Sequence, residues 1–196
     1  MSNKLCATCQ SLDTPNYFPP CNKCEGFSEY KPVGQAAEPT ILDSGERREF
    51  ATGAVRDIQT GKGRCDLLPL MQVARVVNAD AEPDIVILSI QSYLDFGRIL
   101  CLREAISAFC SKRGWSIPYA MLEVSKHFEA GCAKYGERNW EKGIPEHCYI
   151  DSAVRHYLKW LDGMTDEPHD RAVVWNLLCL WWTHENITEA SDEADN

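Results

Sequence analysis

The chain has 196 residues, of which 44% are hydrophobic and 25% are charged, so it can bury the core of one ordinary domain. It contains no apolar run of about eighteen residues, which excludes a transmembrane helix, and its first residues lack the apolar stretch of a secretion signal. The formal net charge of −9 argues against a general nucleic-acid-binding face, because such a face needs clustered Lys and Arg. We therefore expect a cytoplasmic protein without a membrane partner.

Two Cys-x-x-Cys pairs stand near the N-terminus, separated by eleven residues. Each pair can hold one side of a metal ion, and four thiolates form a tetrahedral zinc site. Few apolar residues surround the pairs, so bound metal would supply the folding energy of this segment. Iron in place of zinc, and reduced thiols in a flexible tail, are the alternatives. The pattern predicts a zinc module over residues 1–28 and a polar linker over residues 29–48. The predicted zinc ligands are Cys6, Cys9, Cys21 and Cys24.

A glycine-rich and basic stretch follows over residues 52–66 and contains Arg56, Lys62 and Arg64. Glycines let backbone N–H groups approach an anion, and cationic side chains bind phosphate oxygens. The glycine spacing differs from that of a Walker A loop. The stretch is a candidate phosphate-binding loop, and a solvated surface turn is the alternative.

The rest of the chain has the apolar periodicity of helices. The last of these segments is almost wholly apolar, which predicts a helix that is buried on most sides. Because the links are short and strand signals are few, we predict an all-α helical bundle over residues 49–187. A disordered acidic tail is predicted over residues 188–196. The predicted helices span residues 85–96, 99–110, 119–135, 150–161 and 170–184.

Polar side chains on the last two helices are candidate site residues. Asp151 and Arg155 lie one turn apart at the border of an apolar face, where helical bundles build their sites. A plain helix salt bridge is the alternative reading of that pair. Asn176 shares one stripe of an otherwise apolar helix with His169. A buried amide needs hydrogen-bond partners, so Asn176 serves either a structural network or a ligand.

Several short motifs are specific when they are considered as a set, although each one alone is not. Residues 127–143 read HFEAGCAKYGERNWEKG, residues 151–156 read DSAVRH, and a His-Asp pair at residues 169–170 precedes NLL at residues 176–178. With the segment over residues 53–69, these motifs resemble the dATP/dGTP diphosphohydrolase family of phages and bacteria. That family is related to the MazG-like all-α pyrophosphohydrolases.

The resemblance implies hydrolysis of a purine deoxynucleoside triphosphate to monophosphate and pyrophosphate with Mg²⁺ or Mn²⁺. It also implies a helical bundle of the MazG-like type, which can assemble into a homo-oligomer. The expected location is the cytoplasm of a bacterium or of a phage-infected host cell. MazG-like enzymes usually carry Glu-Glu-x-x-Glu on one helix and Glu-x-x-Asp on the next, a spacing that this chain lacks. Residues 71–116 resemble an insertion relative to shorter members.

The implied chemistry assigns roles to the candidate residues. Carboxylates would hold metal ions that bridge phosphate oxygens, and cationic groups would offset the remaining charge. The expected catalytic residues are Glu129, Lys134, Asp151 and Arg155. The expected Mg²⁺ or Mn²⁺ ligands are Glu123, Glu129, Asp151 and Asp170. The expected substrate-binding residues are Arg56, Lys62, Arg64, Asn139, Trp140, His156, His169 and Asn176.

Two other functions remain open at this point. The His169-Asp170 dipeptide is typical of HD-domain phosphohydrolases, which release tripolyphosphate from dGTP. That mechanism needs an upstream histidine, for which His127 or His156 would serve, and a downstream aspartate, which only the acidic tail supplies. A zinc-bound adaptor or regulator without enzyme activity is the second alternative. The negative net charge and the polar groups within the helices argue against it.

Overall fold

The structure is a computed structural model that describes residues 45–78 and 82–187. Within these residues it is mostly helical with little strand, as predicted. None of the described helices is both long enough and apolar enough to cross a membrane. The predicted zinc module, most of the predicted linker and the predicted acidic tail lie outside the described residues. The elements, in chain order, are β1 (Arg47–Glu49), β2 (Val55–Asp57), α1 (Leu70–Val76), α2 (Ile85–Phe96), α3 (Ile99–Arg113), α4 (Ile117–Tyr135), α5 (Glu146–Leu161) and α6 (His169–Asn186).

A short hairpin precedes the helices, and β1 begins within the last residues of the predicted linker. Its strands are antiparallel, and Arg48 lies opposite Arg56. The turn is closed by two backbone hydrogen bonds, from Phe50 N–H to Ala54 O and from Gly53 N–H to Phe50 O. Gly53 has a φ of +77°, a conformation that glycine adopts without steric cost. Strands of three residues are too short to show a sequence alternation, so the sequence analysis missed the hairpin.

The predicted helices are all present, and local signals set their ends. Ser116 caps α4, because its hydroxyl accepts a hydrogen bond from Tyr119 N–H. Gly97 and Gly114 end α2 and α3 in the left-handed conformation. Helix α5 begins at Glu146, one turn before its apolar pattern becomes visible in the sequence. A further helix, α1, was not predicted.

The core of the described residues forms where α5 packs along α6, with α3 and α4 against α6. Helix α6 is buried on most sides, as its sequence predicts. Full burial of an aliphatic or aromatic side chain stabilises the fold by about 1.5–3 kcal/mol. The largest fully buried side chains include Tyr149, Tyr157, Phe109, Leu177 and Leu180.

A buried carboxylate joins α2 to α3 and α5. Asp84 is only 1% exposed, and one of its oxygens accepts hydrogen bonds from Val86 and Ile87 N–H, both at 3.1 Å. Its other oxygen accepts from Lys112 Nζ and from the Tyr157 hydroxyl, both at 2.7 Å. This one side chain therefore caps α2 and fixes it to two other helices.

Replacement of this carboxylate should weaken the whole fold. We expect Asp84→Ala to lower the free energy of unfolding by about 3 kcal/mol, because a helix cap and charged hydrogen bonds are lost together. Urea denaturation of the variant measures this loss. Asp95→Ala is the control, because Asp95 lies on the exposed face of the same helix. An Asp84→Ala loss below about 1 kcal/mol would show that the network contributes little to the stability of the fold.

Candidate functional site

A cavity of about 910 Å³ lies between β2, α4, α5 and α6. Its volume is in the range of small-molecule binding sites. The cavity collects side chains that are far apart in the sequence but were predicted together as site residues. The sequence-predicted residues that line it are Arg56, Lys62, Glu129, Asn139, Trp140, Arg155, His156 and Asn176.

The hairpin places Arg56 in the wall of the cavity. Its Nη2 donates hydrogen bonds to Ser152 Oγ and Asn176 Oδ1, both at 3.1 Å. Its guanidinium carbon lies 5.2 Å from the centre of the Tyr149 ring and 5.9 Å from that of Trp175. These contacts hold the guanidinium in one position. They also give Asn176 the hydrogen-bond network that its buried place in α6 predicts.

Among the buried polar atoms of the cavity wall, three have neither a hydrogen-bond partner nor an ion-pair partner within residues 45–78 and 82–187. They are Arg56 Nη1, His127 Nδ1 and Trp175 Nε1, and all three residues line the cavity. Buried polar groups are rarely left without partners, because an unmade hydrogen bond costs about 1–3 kcal/mol. Burial, and secondarily the nearby arginines, lower the pKa of His127 to about 4, so its ring is neutral near pH 7. The three atoms are therefore available to a polar ligand.

Aromatic rings form another part of the wall. The Phe128 ring centre lies 5.6 Å from that of Trp140 and 5.9 Å from that of Trp175. Trp140 is held from behind by Trp182, at 5.0 Å between ring centres. A rigid aromatic surface of this kind suits a flat ligand such as a nucleobase.

Asn139 lines the cavity but uses its amide to position the hairpin. Its Oδ1 accepts a hydrogen bond from Val55 N–H at 2.9 Å, and its Nδ2 donates to Val55 O at 2.8 Å. These bonds attach β2 to the loop that follows α4. They therefore favour a positioning role for Asn139 over the predicted contact with a base.

Cations line the cavity beside the loop after β2. Lys62 and Arg155 both do so, and burial, opposed by Asp57 and assisted by Arg155 and Lys134, lowers the pKa of Lys62. Asp57 Oδ2 lies 2.7 Å from Lys134 Nζ and 3.7 Å from Lys62 Nζ. Lys159 also lines the cavity. Lys62, Arg155 and Lys159 therefore give the cavity wall the positive charge that a polyanion site requires, whereas Lys134, predicted as a catalytic residue, does not line the cavity.

Arg155 is held in place by its own helix. Its guanidinium forms an ion pair with Asp151 and donates a hydrogen bond to Ser152 Oγ at 2.9 Å. The other oxygen of Asp151 accepts a hydrogen bond from Cys65 N–H at 2.7 Å. Asp151 is 1% exposed and does not line the cavity. Its predicted pairing with Arg155 is therefore present, and the pair is partly buried, with Asp151 inside and Arg155 in the cavity wall.

The carboxylates predicted to share a metal ion do not converge. Glu123 Oε2 lies 2.6 Å from Arg171 Nη2, and its Oε1 lies 2.9 Å from Lys126 Nζ. Asp170 pairs with Arg113 at 2.9 Å. Neither Glu123 nor Asp170 lines the cavity. Helix periodicity predicts the side of its own helix on which such a residue lies. It does not predict which cation on another helix forms an ion pair with it.

Glu129 is the member of that predicted set that does line the cavity. It is exposed, and it has no hydrogen-bond or ion-pair partner in the part of the chain that the structure describes. Arg64, in contrast, is an exposed residue that binds Asp66 with both Nε and Nη2, at 2.8 and 2.6 Å. The predicted phosphate loop is therefore divided, with Lys62 in the cavity wall and Arg64 outside it.

Two histidines meet at the edge of the cavity. His156 Nδ1 lies 2.9 Å from His169 Nδ1, and His169 Nε2 lies 2.8 Å from Asp166 Oδ1. His156 lines the cavity and His169 lies behind it, 2% exposed. Burial, and secondarily Arg155 and His169, hold the pKa of His156 well below its usual range.

Some cavity residues escaped the sequence prediction. Tyr135 was not singled out, although it belongs to the motif over residues 127–143, and His127 was considered only for the HD-type alternative. Trp175 read as one more apolar residue of α6, and its indole nitrogen became notable only beside Arg56. Lys159 showed no signal, because it reads as a solvent-facing residue near the end of its helix.

Comparison with protein families agrees with the motifs. Residues 113–193 match the family described as dATP/dGTP diphosphohydrolase, N-terminal. No curated protein and no solved structure matches the chain. The match includes α4, α5 and α6, which carry Glu129, Arg155 and Asn176. Residues 113–193 are therefore similar to the N-terminal part of the dATP/dGTP diphosphohydrolase family, as the sequence motifs in that range predicted.

Proposed function

We propose that the chain hydrolyses a purine deoxynucleoside triphosphate to its monophosphate and pyrophosphate in this cavity. The observation that carries the proposal is the group of three unpartnered polar atoms on Arg56, His127 and Trp175, next to aromatic rings and several cations. A purine nucleotide offers a flat base, polar ring atoms and a dense negative charge, which match these three features. The name of the matched family supports the same activity.

The cavity has two kinds of surface for the two ends of such a substrate. The base lies against Phe128 and Trp140, where the aromatic rings are close together. The phosphates are bound by Lys62 and Arg155, with Lys159 as a further cation. Arg56 donates from its unpartnered Nη1 and, because it is already fixed on the other side, loses little entropy on binding.

The hydrolytic step needs an acceptor for the proton of the attacking water. Glu129 is proposed for this role, because it lines the cavity and no described cation neutralises it. A new bond forms between the water oxygen and phosphorus, and the bond that joins the monophosphate and pyrophosphate groups breaks. The proton passes to the Glu129 carboxylate, and the electron pair leaves with the departing phosphate. The surrounding Lys and Arg stabilise the charge on that group.

Mg²⁺ or Mn²⁺ is proposed as the cofactor on the family resemblance. When bound, a divalent ion neutralises phosphate charge and polarises the attacking water. The carboxylates first predicted as its ligands do not fit a shared site, because Glu123, Asp151 and Asp170 do not line the cavity and each pairs with a different arginine. The proposed role of Glu129 as proton acceptor is therefore argued from the residues of the cavity and assigns no ligand to the metal ion.

Further parts of the proposal concern the whole molecule. We propose a bundle of the MazG-like type, a cytoplasmic location, and possible assembly into a homo-oligomer. We also propose one structural zinc ion per chain, bound by the four N-terminal cysteines of residues 1–28. Metal analysis of the reduced, purified protein should find one zinc per chain, and an absence of both zinc and iron would contradict this site.

Asp151 is proposed as a positioning residue for Arg155 and not as a metal ligand. We expect Asp151→Asn to raise KM for the nucleotide about tenfold, because Arg155 loses its charged partner and its fixed orientation. The amide oxygen can still accept from Cys65 N–H, so we expect the variant to stay folded. Steady-state kinetics and thermal melting measure both. A loss of kcat beyond a hundredfold with KM unchanged would show that Asp151 acts in the chemical step.

Product analysis tests the proposed reaction. The full chain is incubated with each dNTP and NTP and with Mg²⁺ or Mn²⁺, and the products are resolved by ion-exchange chromatography. We expect purine dNMP and pyrophosphate in equal amounts. Release of tripolyphosphate would support the HD-type reaction instead. Absence of turnover with every nucleotide would support the adaptor or regulator.

A further inference from the structure

Three side chains of types that can bind a metal converge at one edge of the cavity, from α5, from α6 and from the loop between them. They are His156, Glu167 and His169, and one ligand atom of each lies within 4.8 Å of those of the other two. His156 Nδ1 is 2.9 Å from His169 Nδ1 and 3.9 Å from Glu167 Oε2. None of these three was predicted from the sequence as a metal ligand.

The separation of the two ring nitrogens fits a shared ion. Two imidazole nitrogens that each bind a metal at about 2.1 Å lie about 3.0–3.4 Å apart for angles between 90° and 109°. The observed 2.9 Å is close to that range. Without an ion, one of the two nitrogens donates a proton to the other. Metal binding needs that proton to move to the opposite nitrogen of the same ring, which leaves both rings neutral and both Nδ1 atoms as ligands.

A second carboxylate orients one of the histidines. Asp166 Oδ1 lies 2.8 Å from His169 Nε2, the ring nitrogen that does not face His156. A carboxylate in this position fixes the tautomer with the proton on Nε2 and directs the lone pair of Nδ1 towards a metal. Asp166 is itself held by Lys159 Nζ at 3.0 Å. The cluster therefore has the outer partner that usually accompanies a histidine ligand.

We propose that His156, Glu167 and His169 form a divalent metal site at the edge of the cavity. The two-nitrogen, one-carboxylate donor set favours first-row transition ions such as Mn²⁺ or Zn²⁺ over Mg²⁺, which prefers oxygen ligands. His156 and Glu167 line the cavity, so the remaining coordination positions open towards it. The metal site is argued from these residues alone and does not depend on the proposed nucleotide hydrolysis.

Mn²⁺ binding to the full chain tests the site, with free Mn²⁺ measured by electron paramagnetic resonance. Mn²⁺ is the chosen probe because thiolate sites select softer ions. We expect one tight ion per chain in the parent, and at least a tenfold weaker affinity for that ion in His169→Ala and in Glu167→Gln. His184→Ala is the matched control, because His184 also lies on α6 beside a carboxylate, Glu146, but outside the cavity. We expect parental binding in this control.

The outcomes separate the metal site from the reaction. Parental Mn²⁺ affinity in Glu167→Gln, or no bound Mn²⁺ in the parent, would overturn the site. His169 is buried, so thermal melting accompanies its variant, and the partly exposed Glu167→Gln keeps the test valid if His169→Ala does not fold. Mn²⁺ should also broaden the imidazole NMR signals of His156 much more strongly than those of His184, which lies about four turns further along α6 than His169. Mn²⁺ binding without nucleotide turnover would keep the site and reject the proposed function.

Discussion

Arg56→Ala is expected to lower kcat/KM for dATP or dGTP by at least about a hundredfold. The substitution removes a guanidinium that is fixed by Ser152 and Asn176 and still has an unpartnered Nη1 in the cavity wall. The attraction between a fixed cation of this kind and the phosphate becomes stronger as negative charge develops on the phosphate. The cation also needs no reorganisation during the reaction. The loss should exceed that of an ordinary surface charge, which costs about 1 kcal/mol or less.

Arg64→Ala provides the control for this result. Arg64 belongs to the same loop region but is exposed, binds Asp66, and does not line the cavity. We expect its variant to keep kcat/KM within about threefold of the parent. Circular dichroism and melting of both variants exclude unfolding as the cause. Equal losses in the two variants would indicate a general charge effect and not a contact made by Arg56.

Glu129→Gln should abolish most turnover and leave nucleotide binding in place. We expect kcat to fall by about a hundredfold or more, because the amide cannot accept the proton of the attacking water. KM should change little, since the side chain keeps its size and lies in an exposed part of the cavity wall. Steady-state kinetics separates the two parameters. Activity within threefold of the parent would remove Glu129 from the proposed step.

Glu123→Gln is the matched control on the same helix. Glu123 pairs with Arg171 and Lys126 and does not line the cavity. We expect a moderate loss of thermal stability from the broken ion pairs and an unchanged kcat. A loss of kcat as large as that of Glu129→Gln would restore Glu123 to the list of site residues.

The helices are predictable from the sequence because their apolar periodicity is a local property of the chain. Helix α6 shows this most clearly, since an almost wholly apolar segment has to be buried on most sides. The hairpin was missed for the opposite reason. Its strands have three residues each, and it is held in part by Asn139, which is distant in the sequence.

The site was predicted in part, for related physical reasons. Asn176 was recognised because a polar residue in an apolar helix needs a partner, and that partner is Arg56. Glu123 and Asp170 were predicted as metal ligands because a carboxylate is a suitable ligand type. Their arginine partners lie on other helices, where helix periodicity gives no information. Glu167 lies in a loop, and a loop has no periodicity. Its position beside His156 and His169 could therefore not be predicted from the sequence.

The most direct test of the central claim is an NMR titration of ¹⁵N-labelled full chain with a non-hydrolysable dGTP or dATP analogue. The claim is that the nucleotide occupies the cavity and satisfies its unpartnered polar atoms. We therefore expect a large shift of the Trp175 indole N–H signal, because this buried donor gains a hydrogen bond. The Trp115 indole, which lies outside the cavity, should not move. A Trp175 signal that stays in place while the analogue binds would contradict the account.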